Sequence, residues 1–236
     1  MSTQNKTVFV TGATRGIGKA IVEQFHLSGA RVIGVGTQTN AQGYFDEYFQ
    51  ADFTNQNEIN ACAEFLKKIE PDILVNNAGI NINAPFTEIL LEDFQRIQQV
   101  NILTPFLLCQ AAIPAMRQRG WGRIVNVSSI WGKISKAHRA SYSASKFALD
   151  GLTLALSAEF ASDGILANCI APGFTDTDLT HNMLGDKGIQ AIAATIPIGR
   201  LATVDEIARF LVWLCGTENT YITGQNIAID GGFSRV

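Results

Sequence analysis

Thr7-Val8-Phe9-Val10-Thr11-Gly12-Ala13-Thr14-Arg15-Gly16-Ile17-Gly18 is the stretch on which the fold turns. An apolar, β-branched run stops at a glycine-rich loop, and residues 16–28 then read as an amphipathic helix ending at Gly29. A strand that enters a helix through Gly-x-x-x-Gly-x-Gly leaves unpaired helix N–H groups at the turn. Those groups and the helix dipole attract a pyrophosphate, and the missing side chains let its oxygens come close. An ordinary βα turn would also use glycine, and the chain holds 21 of them. The position between strand and helix is what points to a nucleotide.

Outward from this loop, short apolar runs alternate with helical patterns. Residues 31–35 read as a second strand and 48–51 as a weaker third. Only 38–46 separates them, too little for the usual intervening helix. A helix over 56–69 is stopped by Pro71, and 72–75 is the fourth strand. Residues 91–119 predict one long helix, bent at Pro105 or Pro114. Strands at 123–127, 165–170 and 226–229 alternate with helices at 143–162 and 204–215. Strands this apolar, separated by helices, predict a doubly wound parallel β-sheet with helices on both faces, and ligands beyond the strands' carboxyl ends. Neither a linker nor an internal repeat divides the 236 residues, so one domain is expected.

Composition narrows the function. Hydrophobic residues make up 47%, charged residues only 17%, and the net charge is -3. That argues against disorder and against a basic nucleic-acid footprint. The longest apolar stretch, 102–116, is interrupted by Pro105, Gln110 and Pro114, and the first six residues lack a signal-peptide core, so neither membrane nor export is expected. Cys62, Cys109, Cys169 and Cys215 form no CxxC pair and read as small buried hydrophobes of a reducing, cytoplasmic setting. No cluster has metal-site spacing.

Tyr142 is the one tyrosine of four with a lysine, Lys146, four residues on. On a helix that spacing sets the ammonium beside the phenol, where a cation should lower the tyrosine pKa toward the working range. The phenol could then exchange a proton with an alcohol or alkoxide. Ser129 ends the fifth strand and can face the ligand; alternation turns its neighbour Ser128 to the opposite side. A Tyr-x-x-x-Lys pair alone is usually a solvated helix face; Ser129 and the phosphate loop in the same chain turn the reading toward catalysis.

Together these features resemble the short-chain dehydrogenase/reductase family. Thr11 to Gly18 resembles its TGxxxGxG loop, and Asn76-Asn77-Ala78-Gly79 its NNAG after strand four. Ser129, Tyr142 and Lys146 stand at its catalytic spacing, with Asn101 in the preceding long helix. Pro172-Gly173, Gly224-Gln225 and Asp230-Gly231-Gly232 complete the order, which is closest to the ketoacyl-reductase-like group. The resemblance implies a Rossmann fold with Tyr142 as acid/base, Lys146 tuning it and holding the nicotinamide ribose, Ser129 positioning the carbonyl, and Asn101 supporting a proton relay. A mid-helix Asn101 could equally hydrogen-bond a neighbouring turn. The resemblance assigns cofactor contacts to Gly12, Thr14, Arg15, Gly16, Ile17 and Gly18, to Thr37, Asp52 and Phe53, to Asn77, Ala78 and Gly79, and to Pro172, Gly173, Thr175 and Thr177. Ser129, Trp131, Tyr142, Gly173 and Met183 fall on the substrate side, with 174–200 as a lid. Trp131 reads equally as core packing, and His138 as an exposed bystander.

Residues 34–39 carry no acid to bind a ribose 2′-OH or repel a 2′-phosphate, and Arg15 suits a phosphate unless it merely points to solvent. NADP(H) is therefore favoured, with NAD(H) left open. The expected activity is hydride transfer between nicotinamide and a small-molecule carbonyl or secondary alcohol. A 3-oxoacyl thioester (acyl-carrier-protein or CoA) leads, followed by a sugar, polyol or other secondary alcohol. Arg123 matches a carrier-docking base of such reductases, whereas Asp163 stands where they commonly carry a second one. A non-catalytic NADP-sensing protein is the rival of another class, but it would be expected to lose Ser129, Tyr142 or Lys146. The apolar run 149–160 and Gly231-Gly232-Phe233 resemble the contacts of a homotetramer, or of a dimer.

Overall fold

The computed structural model describes residues 3–235, apart from the side chains of Leu179 and Met183. Its strands are β1 (Thr7–Thr11), β2 (Arg31–Gly36), β3 (Glu47–Gln50), β4 (Ile73–Asn76), β5 (Gly122–Val127), β6 (Ile165–Pro172) and β7 (Asn226–Ile229). They form one sheet in the order β3-β2-β1-β4-β5-β6-β7, every neighbouring pair parallel. The direction of strand addition reverses between β1 and β4. Strand carboxyl ends diverge there and open the crevice in which such sheets hold ligands.

Alternation along the strands builds a core on each face. Phe9, Ile33, Leu74 and Ile124 meet Ile59 and Leu66 of α2 (Gln56–Ile69), Leu108 and Met116 of α4 (Thr104–Arg119), and Leu156 of α5 (Ala140–Phe160). Val8, Val10, Val75 and Val125 meet Ile21 and Phe25 of α1 (Gly16–Leu27), and Ile207 and Leu211 of α7 (Val204–Leu214). Burying each such side chain contributes about 1.5–3 kcal/mol. The four cysteines are unpaired and lie inside this packing, where burial pushes the thiols of Cys62, Cys109 and Cys169 up to about 12.

Three expectations change. The long helix is interrupted by a π turn just before Pro105, and α4 runs on through Pro114. α3 (Leu91–Gln98) passes through a π turn, Gln99–Leu103, into α4. Pro105 has no N–H for the carbonyl four residues back, that of Asn101, and its ring crowds that carbonyl. The helical ladder widens at the residue deprived of its donor, while Pro114 stays inside α4. The expected lid contains a helix, α6 (Asp178–Ala193), broken at Gly185, where φ is +60° and ψ 172°. α5 begins at Ala140, so Tyr142 lies in its first turn. The connection from β2 to β3 is irregular, as its length requires. The run Leu91–Arg119 is long and apolar enough to cross a bilayer, yet half of its most apolar window is buried inside the protein.

Candidate active site

The loop after β1 is stitched to the end of β4. Thr11 Oγ1 accepts from the Asn77 and Ala78 amides, both at 3.0 Å, and Asn77 Nδ2 donates to the carbonyls of Thr11 and Gly12 at 3.0 and 3.1 Å. Gly12 turns through φ +66°, and a Cβ there would stand 2.8 Å from Asn77 Nδ2. A Cβ on Gly18, in the first turn of α1, would overlap the Gly12 carbonyl oxygen. Only glycine admits this closeness. Arg15 is the N-cap of α1, makes no side-chain cap, and no acid stands in the first turn, so the helix presents bare N–H groups to the crevice.

A cleft of about 440 Å³ runs from this loop over the sheet edge. Gly12, Thr14, Arg15, Gly16, Ile17 and Gly18 line its first part, and Thr37, Asp52 and Phe53 its far end. Arg15 and Thr37 are exposed, and Arg15 is in no ion pair among the described residues. The first acid past β2, Asp46, is spent on the Val32 amide at 2.7 Å. Asp52 accepts from Thr54 N and Oγ1, each at 2.9 Å, through one oxygen and keeps the other. A second hollow of about 630 Å³ opens against α6 and α7, beside the Asp176–His181 and Arg200–Glu206 pairs, and holds none of the Ser-Tyr-Lys set.

Asn77, Ala78 and Gly79 carry the cleft from β4 toward β5, where Ser129, Tyr142 and Lys146 open on it together. Ser129 Oγ accepts from the Trp131 amide at 3.2 Å, which leaves its own O–H to donate. Ser128 instead donates to the Lys146 carbonyl. Lys146 is buried, donates from Nζ to the Val127 carbonyl at 2.8 Å, and lies 5.6 Å from the Tyr142 ring centre. Asn101 stands behind the cleft, fully buried. Its Oδ1 accepts from the Ile80 amide, and its Nδ2 donates to the Ile80 carbonyl and Ser145 Oγ. This clamp sets Gly79 beside Lys146: a Cβ on Gly79 would lie 3.5 Å from Lys146 Nζ.

The expected lowering of the Tyr142 pKa by Lys146 is corrected by these surroundings. Burial pushes the phenol above its usual range, opposed by the Ser129 hydroxyl and the charge of Arg139. Burial also holds the Lys146 ammonium down at about 8, and one of its N–H groups donates to the Val127 carbonyl; the charge that opposes the rise at Tyr142 is that of Arg139, three residues before it.

Beyond β6, Pro172, Gly173, Thr175 and Thr177 line the cleft. Thr177 caps α6 through Thr180 N, and its methyl stands over Gly16. Trp131 lines the cleft and packs as well, edge to face with Phe174 and Phe233 at 6.2 and 6.4 Å. Met183, expected on the substrate side, falls outside the described side chains. Arg139, between Ser129 and Tyr142, and Phe174, at the start of the expected lid, line the cleft; Ile80 and Asn81 line it too, without any signal in the sequence.

The family model described as Enoyl-(Acyl carrier protein) reductase matches residues 12–234. The chain is 36% identical to the 3-oxoacyl-[acyl-carrier-protein] reductase FabG of Escherichia coli strain K12 over the whole of both chains. A candidate NAD(P)-dependent gluconate 5-dehydrogenase from Beutenbergia cavernae, with NADP bound at low occupancy, superposes with a TM-score of 0.92, 33% identity and 98% of each chain covered. A blue fluorescent protein from a metagenomic library, in complex with NADPH, gives 0.90 at 31% identity over 99% of each chain. With the glycine loop, the Ser-Tyr-Lys cleft and full-length relatives in agreement, the chain belongs to the short-chain dehydrogenase/reductase family of oxidoreductases.

Proposed function

We propose that the protein is an NADP(H)-dependent oxidoreductase interconverting a small-molecule carbonyl and its secondary alcohol. Tyr142 is the general acid and base, Ser129 the donor to the substrate oxygen, and Lys146 the group that orients phenol and nicotinamide ribose. One observation carries the reading: the Ser129 hydroxyl, the Tyr142 phenol and Lys146 share a cleft with the bare glycine loop. That loop suits a dinucleotide, because Gly12 and Gly18 clear its floor and α1 begins uncapped. When bound, the nicotinamide supplies the hydride to the carbonyl carbon or takes it back from the alcohol. The chain's own task is the proton. The Tyr142 phenol, protonated at neutral pH like any tyrosine and pushed further up by burial, can give its proton to the forming alkoxide. Asn101 serves the relay from behind, as a positioning residue that fixes Ile80 and Ser145.

NADP(H) is favoured over NAD(H) because Thr37, Gln38 and Thr39 offer no acid against a 2′-phosphate, while Arg15 and Thr37 line that end. The nucleotide-bearing neighbours hold NADP and NADPH. Similarity to the Escherichia coli reductase supports a 3-oxoacyl thioester. The carrier half of that reading is weakened at Arg123, which is buried, donates to the carbonyls of Gly122, Gly164 and Asn219, and stacks on Trp121. Asp163 pairs with Arg117 at 2.7 Å, so neither position offers a cation to an acidic carrier. A small, polar substrate is the reading these two residues favour, in line with the gluconate 5-dehydrogenase neighbour.

The whole chain serves as one catalytic unit, with 174–200 closing over substrate and α6 as its stiff part. Exposed Phe106, Phe147 and Leu154 on α4 and α5 support a dimer or homotetramer, and four unpaired cysteines suit the cytoplasm. The test is turnover of thioesters, diketones, oxo acids and sugars with NADPH and NADH. NADPH should lead by about 10-fold or more, and Tyr142→Phe should lose about 10²–10⁴-fold in kcat. An NADH preference overturns the cofactor assignment, and an active Tyr142→Phe overturns the mechanism.

A further inference from the structure

Arg139 is the cation of the cleft that the proposed chemistry leaves without a partner. It stands at the N-cap of α5, three residues before Tyr142, and lines the cleft with it. Among the described residues its side chain is in no ion pair and caps no helix N–H. Its guanidinium carbon lies 5.6 Å from the Trp131 ring centre, and Lys136 Nζ lies 5.1 Å from the same ring. Trp131, Phe174 and Phe233 lock one another edge to face, with centres 5.3 to 6.4 Å apart, so this wall is stiff. The preceding residue, His138, is held at φ +67°. A side chain other than glycine adopts that conformation at a cost of about 1–2 kcal/mol. Strain is thus kept at the turn that aims Arg139.

Charge at this end of the cleft is one-sided. The acids that line the cleft belong to the nucleotide side: Asp52 follows β3, and Asp178 follows Thr177, whose methyl stands over Gly16. Asn81 Oδ1, without a hydrogen-bond partner among the described residues and buried in the lining of the same cleft, is an acceptor: it suits a hydroxyl of the ligand and not the carboxylate itself. Unmet polar atoms suit a polar ligand and not an acyl chain. A planar guanidinium fixed against an aromatic wall offers the two-pronged face that matches a carboxylate.

We infer that Arg139 binds a carboxylate of the substrate, so that the reacting pair is a small oxo acid and its hydroxy acid, and neither a neutral ketone nor a thioester. The inference rests on the Tyr142 reading above, because the carboxylate is placed relative to a carbonyl at that phenol. The reaction itself is unchanged: hydride reaches the carbonyl carbon, the Tyr142 proton reaches the oxygen, and the carboxylate keeps its charge.

The experiment compares oxo acids of three to six carbons, including 3-oxobutanoate and 4-oxopentanoate, with their methyl esters, using NADPH. Wild type should favour at least one acid over its ester by about 10- to 150-fold in kcat/KM, the span of a charge-assisted hydrogen bond. Arg139→Met should erase that preference by losing the acid more than the ester, and Arg139→Lys should restore part of it. Butanoate should compete with the acid substrate in wild type and not in Arg139→Met. Equal use of acid and ester by wild type overturns the inference. So does an equal loss on both in Arg139→Met, which would leave Arg139 acting only through the charge it places near Tyr142. Failure of every acid and ester overturns it as well. An enzyme that reduces both but keeps full activity in Tyr142→Phe overturns the underlying reading instead.

Discussion

Around Gly12 and Gly18 the cleft is walled by backbone, whereas around Trp131 and Arg139 it is walled by side chains. The nucleotide end is closed by Asn77 bonding two carbonyls and by the uncapped start of α1. Few residue types fit there, because a Cβ would strike something. The end proposed for the substrate is lined by the rings of Trp131 and Phe174, the Arg139 side chain and the Asn81 amide. One fold thereby holds one cofactor geometry and many substrate geometries.

Substitutions on either side should separate the two ends. Ser129→Ala removes the hydroxyl proposed to donate to the substrate oxygen and should lower kcat by about 10²–10³-fold, with NADPH affinity kept. Stopped-flow binding beside steady-state rates checks it, and an equal loss in both would merge the two ends. Gly18→Ala, conversely, forces a methyl into the Gly12 carbonyl. It should raise the Kd for NADPH by about 5- to 150-fold, the equivalent of roughly 1–3 kcal/mol of overpacking. Calorimetric titration reads that value. Thr37→Asp places a charge where a 2′-phosphate is expected and should turn the NADPH preference toward NADH by about 10-fold or more. Paired kcat/KM values for the two cofactors decide it.

The smallest effect concerns Lys146. Its folded-state pKa of about 8 lies below the ordinary 10.5, because burial penalises the ammonium. Between those values the unfolded chain binds more protons, so this site's penalty on folding fades as pH rises from about 8 to 10.5 and is full below 8. The Tm of wild type relative to Lys146→Met should therefore climb by a few degrees between pH 7 and pH 10. A flat difference would place the ammonium in water and not in the core.

The same contrast explains what could be read from the residues. The sheet and its connections were legible because buried parallel strands are apolar on both faces and helices keep their period, as in 165–172 and 56–69. The nucleotide loop was legible because glycine spacing reports backbone contact directly. The π turn was not: Pro105 announces a fault, but the fault falls on Asn101, whose donor it removes. The Tyr142 environment was misjudged because i,i+4 spacing gives a neighbour but neither its burial nor its hydrogen bonds, one of which Lys146 donates to the Val127 carbonyl. Arg123 stands at a familiar position yet is sealed under Trp121, which no local pattern reveals. α6 was hidden by Gly185 and Gly188, which interrupt its pattern.

The central claim is that the nucleotide end binds and the Tyr142 end supplies the proton. Tyr142→Phe tests it when NADPH binding and turnover are measured on one preparation. The Kd should stay within about 3-fold of wild type, and kcat should fall by about 10²–10⁴-fold. Turnover within about 3-fold of wild type, with binding intact, would contradict it.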